Sequence, residues 1–359
     1  MTLTEELRGL LPLRPAPVLT RPADALTARR LAESLGDGDP RLPRRTFSDL
    51  LVFRLDGAQR TAVVKHPRSR RAAASLAHEC DAVRRLGQDD RLGRWRQLLP
   101  VVEEDRPDGP LPLVVESCLP GVGADAYLRH APRQACRVAE SALAAISALH
   151  RATGRTEDVT HRTAGWVEPR LDVLAREVRW CRRGEGARAL AAVRGLLENE
   201  LTGRRLLVGW THGDFHPGNL LLTADRGTPS GVIDWAGAVP DGPALLDCHT
   251  FVLTLRHQLT GREFGAVVAD VLRRARLRPA DRRLLAGVRA VQPGPRAETA
   301  AALLTWLWHV AGNLEKSQRY ARSHRWVADN VVAVLAEVPA PGGVPAVSGA
   351  RPRPRGRTP

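Results

Sequence analysis

The stretch from Trp210 to Trp235, "WTHGDFHPGNLLLTADRGTPSGVIDW", gathers two His, three Asp and one Asn between apolar runs. Asp214 and Asn219 stand five residues apart across "DFHPGN", and Asp234 follows fifteen residues later, after a hairpin-like turn. An amide oxygen and a carboxylate on adjacent strand ends suit a hard cation such as Mg²⁺, which keeps several waters and completes its shell with substrate phosphates. A further carboxylate that stays off the metal can orient an attacking hydroxyl and accept its proton. One base, one Asn and one Asp make the side-chain set of phosphoryl transfer. A hydrolytic His/Asp metal centre would need more clustered ligands. The His at 130, 161, 249, 257, 309 and 324 form no ligand-spaced pair, which disfavours that reading.

Such residues need rigid elements to hold them. "LLVFRL" (50–55) and "TAVVK" (61–65) flank a turn containing Asp56-Gly57, which is a hairpin signal. In 72–87, Leu76, Cys80, Val83 and Leu86 recur at helical spacing and Gly87 marks the stop. "LLPVVEE" (98–104) and "LPLVVESCLPG" (111–121) read as a second strand pair, so residues 41–121 form a strand–strand–helix–strand–strand lobe. The rest is mostly helical, with patterns at 132–153, 170–202, 243–258, 262–275, 279–289, 297–322 and 323–337. Between them "RLLVGWTHGD" and "SGVIDW" read as two short strands around a loop. Asp225 falls in the turn between them and shapes it.

"HGDFHPGN" followed by "VIDW" resembles the catalytic loop and metal-binding segment of the aminoglycoside phosphotransferase / choline kinase family. That resemblance implies an α+β, protein-kinase-like two-lobe fold. Its N-terminal lobe is a small antiparallel sheet with one helix, and its larger C-terminal lobe is mainly helical. It implies that Asp214 is the catalytic base, that Asn219 and Asp234 hold Mg²⁺, that His212 braces the loop and that His216 packs or hydrogen-bonds within it. Asp247, in "GPALLDCHTF", would brace the loop from the next helix, or else be a surface acid. The family also requires a strand Lys on the α/β-phosphates paired with a helix Glu. Lys65, one of very few lysines, ends "TAVVK", and Glu79 lies fourteen residues on in mid-helix. "VVESCLPG" (114–121) sits where the hinge between lobes belongs, so backbone groups near Glu116 and Cys118 would bind adenine. The segment before the first strand, "RRTFSDLL", departs from the family by lacking Gly; Ser48 and nearby N–H groups would have to cradle phosphate there. The implied divisions are an N-terminal extension at 1–40, a nucleotide-binding lobe at 41–116, a helical catalytic and acceptor lobe at 117–338, and a disordered basic tail at 339–359.

Only about eight residues separate Asp234 from the next helix, too few for the long activation segment of a protein kinase. The expected acceptor is therefore a small-molecule hydroxyl and the expected donor ATP or GTP. The resemblance assigns the acceptor pocket to helices 243–258 and 297–322, with Trp306, Trp308, His309, Asn313, Glu315 and Lys316 as lining. Few acids lie near these helices, which disfavours a polycationic aminoglycoside and favours a neutral or anionic sugar, glycoside or polyol. The missing Gly loop keeps open a catalytically silent nucleotide-binding protein of the same fold.

Composition sets outer bounds. The net charge is +15, of which the last nine residues, "RPRPRGRTP", carry four Arg. A polyanion or nucleic-acid binder is the remaining alternative, but no block interleaves aromatics with Arg, so no specific nucleic acid is expected. The five Cys, at 80, 118, 136, 181 and 248, form no CxxC pair, which argues against a zinc site or a disulfide framework. The N-terminus lacks a long apolar h-region and "AAALLTWLWHVAG" (300–312) is too short to span a bilayer. The expected setting is cytoplasmic.

Overall fold

The computed structural model describes residues 22–36, 38–41, 44–45, 49–57, 61–109, 111–225, 227–288, 290 and 294–338. Ser48 and the tail at 339–359 lie outside the described residues. The chain has the two-lobe, protein-kinase-like α+β fold.

The first lobe is an antiparallel sheet. Strands β1 (Asp39–Pro40) and β2 (Arg44–Arg45) both pair with β3 (Leu50–Asp56), followed in order by β4 (Thr61–Pro67), β6 (Leu113–Ser117) and β5 (Val102–Arg106). Side chains alternate between the faces of a strand, and the alternation here divides the lobe. Leu51, Phe53 and Leu55 of β3, Ala62 and Val64 of β4, and Leu113 and Val115 of β6 form one core with Ala28, Leu31 and Ala32 of helix α1 (Pro22–Leu35). The opposite face carries Lys65, Val114 and Glu116 toward helix α2 (Arg70–Gly87). Helix α2 starts where Ser69 caps the backbone N–H of Ala72 at 3.2 Å, and it buries Leu76, Glu79, Cys80 and Val83 on one stripe. The strand pair read at 98–104 begins later, at Val102, because residues 90–98 form a tight 3₁₀ segment.

The second lobe holds strand β7 (Val122–Gly123), helices α3 (Ala124–His130) and α4 (Ala135–Thr153), strand β8 (Arg155–Asp158), helices α5 (Thr160–Glu177) and α6 (Gly184–Leu201), and strand β9 (Arg205–Thr211). Then come β10 (Leu220–Leu222), β11 (Pro229–Val232), β12 (Val239–Pro243), and helices α7 (Leu245–Thr260), α8 (Phe264–Arg274), α9 (Pro279–Ala286) and α10 (Pro295–Lys316), with short helical pieces to residue 335. The helical pattern at 170–202 resolves into two helices, broken by a 3₁₀ turn at Arg179–Arg182. The two strands read around the loop do not pair with each other. Strand β9 lies between β8 and β12, while β11 pairs with β10, which in turn pairs with β7. Helix α7 is buried at every position from Leu245 to Arg256, which makes it the axis of this lobe. No helix among the described residues is long and apolar enough to cross a membrane.

Candidate active site

The β10–β11 hairpin explains why Asn219 and Asp234 meet. Leu220 pairs with Val232, so the residues just outside the pairing, Asn219 and Ile233, are neighbours, and the Ile233 N–H donates to the Asn219 carbonyl at 3.0 Å. Asp214 arrives from the end of β9. The Asn219 side-chain amide donates to the Asp214 carbonyl at 2.9 Å, which ties the loop across its five-residue span. That bond uses the nitrogen and leaves the amide oxygen without a hydrogen bond among the described residues. Asp234 adopts φ 63°, ψ 66°, a left-handed conformation that few residues other than Gly tolerate. Gly213 has φ +78°, and a Cβ there would lie 2.0 Å from the Gly237 carbonyl oxygen. Only glycine lets the loop at 212–219 and the segment after Asp234 pass this closely.

Asp247 is fully buried and braces the loop from α7. Its Oδ1 accepts from Gly213 N–H at 2.9 Å and its Oδ2 from His212 N–H at 2.8 Å. His150 of α4, also fully buried, contacts the same Oδ2 at 2.9 Å through Nε2. The alternative of a surface acid at 247 is thereby excluded. His150 escaped the sequence reading because a lone His on an apolar helix face announces no partner 97 positions away. His212 contacts the Ile233 carbonyl at 3.0 Å through Nε2 and packs 4.6 Å from the Trp235 ring. His216 accepts from Gly218 N–H at 3.0 Å, which closes the turn to Asn219.

Lys65 and Glu79 meet as an ion pair of 2.8 Å, and the opposite side of the Lys65 ammonium is taken by Glu116 at 2.7 Å. All three are buried. Burial alone would lower the Lys65 pKa; Glu116 and Glu79 together reverse this and raise it. Burial pushes the Glu116 carboxyl up to about 7 against the pull of Lys65. The adenine contact expected near Glu116 is one of backbone groups; the Glu116 side chain in addition holds the lysine. At Cys118 the N–H reaches the Thr61 carbonyl at a long 3.4 Å. Glu79 Oε1 also accepts from the Trp235 backbone N–H at 3.0 Å. One carboxylate oxygen thus joins the lysine of the first lobe to the segment carrying Asp234. Glu79→Gln keeps both acceptor contacts and removes the charge. It should cost on the order of 1.5 kcal/mol in thermal unfolding and raise the KM for nucleotide. Unchanged melting together with unchanged KM would contradict this link.

A cavity of about 340 Å³ opens beside Asp214 and is lined by α10. Trp308, His309, Glu315 and Lys316 line it as read from the sequence. Trp306 does not, because it is fully buried and donates to the Asn330 carbonyl at 2.6 Å. Asn313 stands behind His309 and contacts its Nε2 at 3.0 Å. Three arginines complete the charged lining. Arg71 and Arg176 both contact Glu177, at 2.9 and 3.2 Å, while Arg170 stacks 3.6 Å from the Trp308 ring centroid and pairs with no carboxylate among the described residues. Lys316 donates to Asp214 Oδ2 at 2.8 Å and to Asp234 Oδ2 at 3.1 Å. Burial works to raise the Asp214 carboxyl, but Lys316, then His216 and His309, hold it well below the ordinary carboxylate range. Asp214 Oδ1 is buried and makes no well-aligned hydrogen bond among the described residues, with His309 Nδ1 a long 3.4 Å away.

The sequence model of the phosphotransferase enzyme family matches residues 40–288. A search of curated proteins finds no match. Among solved structures, the chain is similar to a type VIII aminoglycoside-3'-phosphotransferase, with 20% identity and a TM-score of 0.53 over 78% of this chain and 98% of that one. An aminoglycoside phosphotransferase from Streptomyces rimosus gives 20% identity and a TM-score of 0.53 over 80% and 99%. A thermostable variant of another aminoglycoside phosphotransferase, in ternary complex with ADP and hygromycin B, gives 15% identity and a TM-score of 0.56 over 86% and 98%. These likenesses establish the two-lobe fold.

Proposed function

The chain belongs to the phosphotransferase enzyme family and is a small-molecule phosphotransferase, and on that premise we propose that Asp214 is the base that activates an acceptor hydroxyl for attack on the γ-phosphate of ATP. The observation that carries this reading is Asp214 Oδ1 beside the cavity, buried and approached by His309 Nδ1 at a long 3.4 Å. A buried carboxylate oxygen without a well-aligned donor is costly, and an acceptor O–H placed there supplies one. The proton passes to Asp214, the acceptor oxygen bonds to the γ-phosphorus, and the bond from that phosphorus to the β-phosphate oxygen breaks, releasing the nucleoside diphosphate.

Asn219 and Asp234 fit Mg²⁺ by their chemistry: an amide oxygen and a carboxylate, both hard oxygen donors. Among the described residues no group of three or more His, Cys, Asp or Glu could hold a metal alone. The set therefore suits an ion that takes its other ligands from phosphates and water. Mg²⁺ held there would neutralise charge on the β- and γ-phosphates. In this reading Lys65 binds the α/β-phosphates, and its ion pairs with Glu79 and Glu116 fix its direction. The long Cys118 N–H contact is one that a purine could replace, and the ADP bound to the hygromycin enzyme favours ATP over GTP.

The cavity favours a compact acceptor. Its volume of about 340 Å³ lies at the low end of small-molecule sites, roughly 300–1,000 Å³. Its lining carries Arg71, Arg170, Arg176 and Lys316 against the carboxylates of Asp214 and Glu315. A polycation is poorly matched to that balance, so a neutral or anionic hydroxyl compound is the expected substrate, in a cytoplasmic setting where the nucleotide is available. Incubation of the full chain with Mg-ATP and a panel of sugars, sugar acids and polyols should add the mass of one phosphate, about 80 Da, to one member. Phosphorylation of multi-amine aminoglycosides in preference to every compact member would overturn the acceptor class.

A further inference from the structure

We propose that Lys316 is a catalytic residue that contacts the transferring phosphoryl group, a role that rests on the phosphotransferase reading above. The first observation is one of residue usage. The chain has 54 basic residues of the Lys and Arg types, and only two of them, Lys65 and Lys316, are Lys. At every other such position the residue is Arg, as in the buried Arg256–Asp281 pair. Both exceptions fall at the phosphoryl-transfer site. At Lys65 the reason is local: a compact ammonium fits between Glu79 and Glu116 at 2.8 and 2.7 Å. Lys316 repeats that arrangement on the other side of the site, between Asp214 at 2.8 Å and Asp234 at 3.1 Å.

The second observation is geometric. An ammonium has three donors. Two are spent on Asp214 Oδ2 and Asp234 Oδ2, and the third, without a partner among the described residues, remains for a phosphoryl oxygen beside the two carboxylates. The reacting phosphoryl must pass through that space, since its acceptor is held by Asp214. A guanidinium is a flat, wide fork and cannot enter such a gap as a point charge. Charge spreads over the equatorial oxygens of the phosphoryl group as transfer proceeds, so a cation fixed there stabilises the transition state more than the bound nucleotide.

The third observation is that the position is built. Lys316 is the last residue of α10. Arg71 of α2 donates to the Leu314 carbonyl at 2.8 Å, two residues before it. Ser317, one residue after it, donates to Asp49 Oδ1 at 3.2 Å, and Ser69, the cap of α2, reaches Asp49 Oδ2 at 3.3 Å. The end of the acceptor-side helix is thus pinned to the nucleotide-side lobe on both sides of Lys316.

The test needs no knowledge of the acceptor. Mg-ADP and Mg-ADP with aluminium fluoride, which mimics the phosphoryl in flight, are titrated calorimetrically into the full chain and into Lys316→Met and Lys316→Arg. Both variants should bind Mg-ADP within about threefold of wild type and lose about 10²–10³-fold in the fluoride complex. Arg should not rescue. Equal losses for both ligands, no loss, tighter fluoride binding or full rescue by Arg would each overturn the proposal and leave Lys316 as a structural counter-ion. If the wild-type chain binds neither ligand, the phosphotransferase reading itself fails, and the Lys316 role fails with it.

Discussion

Asp214→Asn is expected to lower kcat by about 10²–10⁴ while the chain still folds and binds Mg-ATP. The argument combines position and charge. The Asp214 carboxylate is held ionised chiefly by Lys316, and its Oδ1 has only the long 3.4 Å approach of His309 Nδ1 among the described residues, so it is open to an acceptor proton. An amide of the same size cannot accept one. Asn at 214 still presents an oxygen to Lys316, which also keeps its 3.1 Å contact with Asp234. The loop bond from Asn219 goes to the Asp214 backbone carbonyl, not to the side chain, and survives. The loss should therefore sit in kcat, with the KM for ATP within a few-fold of wild type. The measurement is phosphate transfer to the acceptor found in the panel, followed by mass spectrometry. A variant that retains a tenth or more of wild-type kcat would remove Asp214 from the role of base.

Much of this site is legible in the chain itself, and the reason is locality. Asn219 and Asp234 meet through one short hairpin, β10–β11, with Asp214 only five residues before Asn219, and hairpins announce themselves by apolar alternation around a turn. Lys65 and Glu79 are legible for a related reason: a strand followed by its packing helix places them on facing surfaces. The contacts missed are those made across the fold. Glu116 reads as one polar residue in an apolar strand, and only the sheet register sets it beside Lys65. His150 and Lys316 lie 97 and 102 positions from the residues they touch. No periodicity encodes such distances. The scarcity of lysine is a compositional signal that marks Lys316 as it marks Lys65.

The most costly single substitution should be Asp247→Ala. Its carboxylate takes two loop N–H groups, from His212 and Gly213, and the ring of His150, all in a region closed to water. Alanine strands three buried donors. Each unsatisfied group costs about 1–3 kcal/mol, so the sum is roughly 3–9 kcal/mol against a typical total of about 5–15 kcal/mol. The expected outcome is a melting point lowered by about 10 °C or more, or a chain recovered only in aggregates. Asp247→Asn separates stability from loop geometry. It keeps one acceptor oxygen but turns an NH₂ toward a loop N–H, so it should fold, melt below wild type, and lose kcat because Gly213 and His212 no longer hold Asp214 in place. His150→Ala supplies the independent check. In that background Asp247→Ala strands one donor fewer, so its cost should fall by about 1–3 kcal/mol. Purely additive losses would mean that His150 and Asp247 do not support each other. An Asp247→Ala chain melting within about 2 °C of wild type would show that α7 does not hold the catalytic loop.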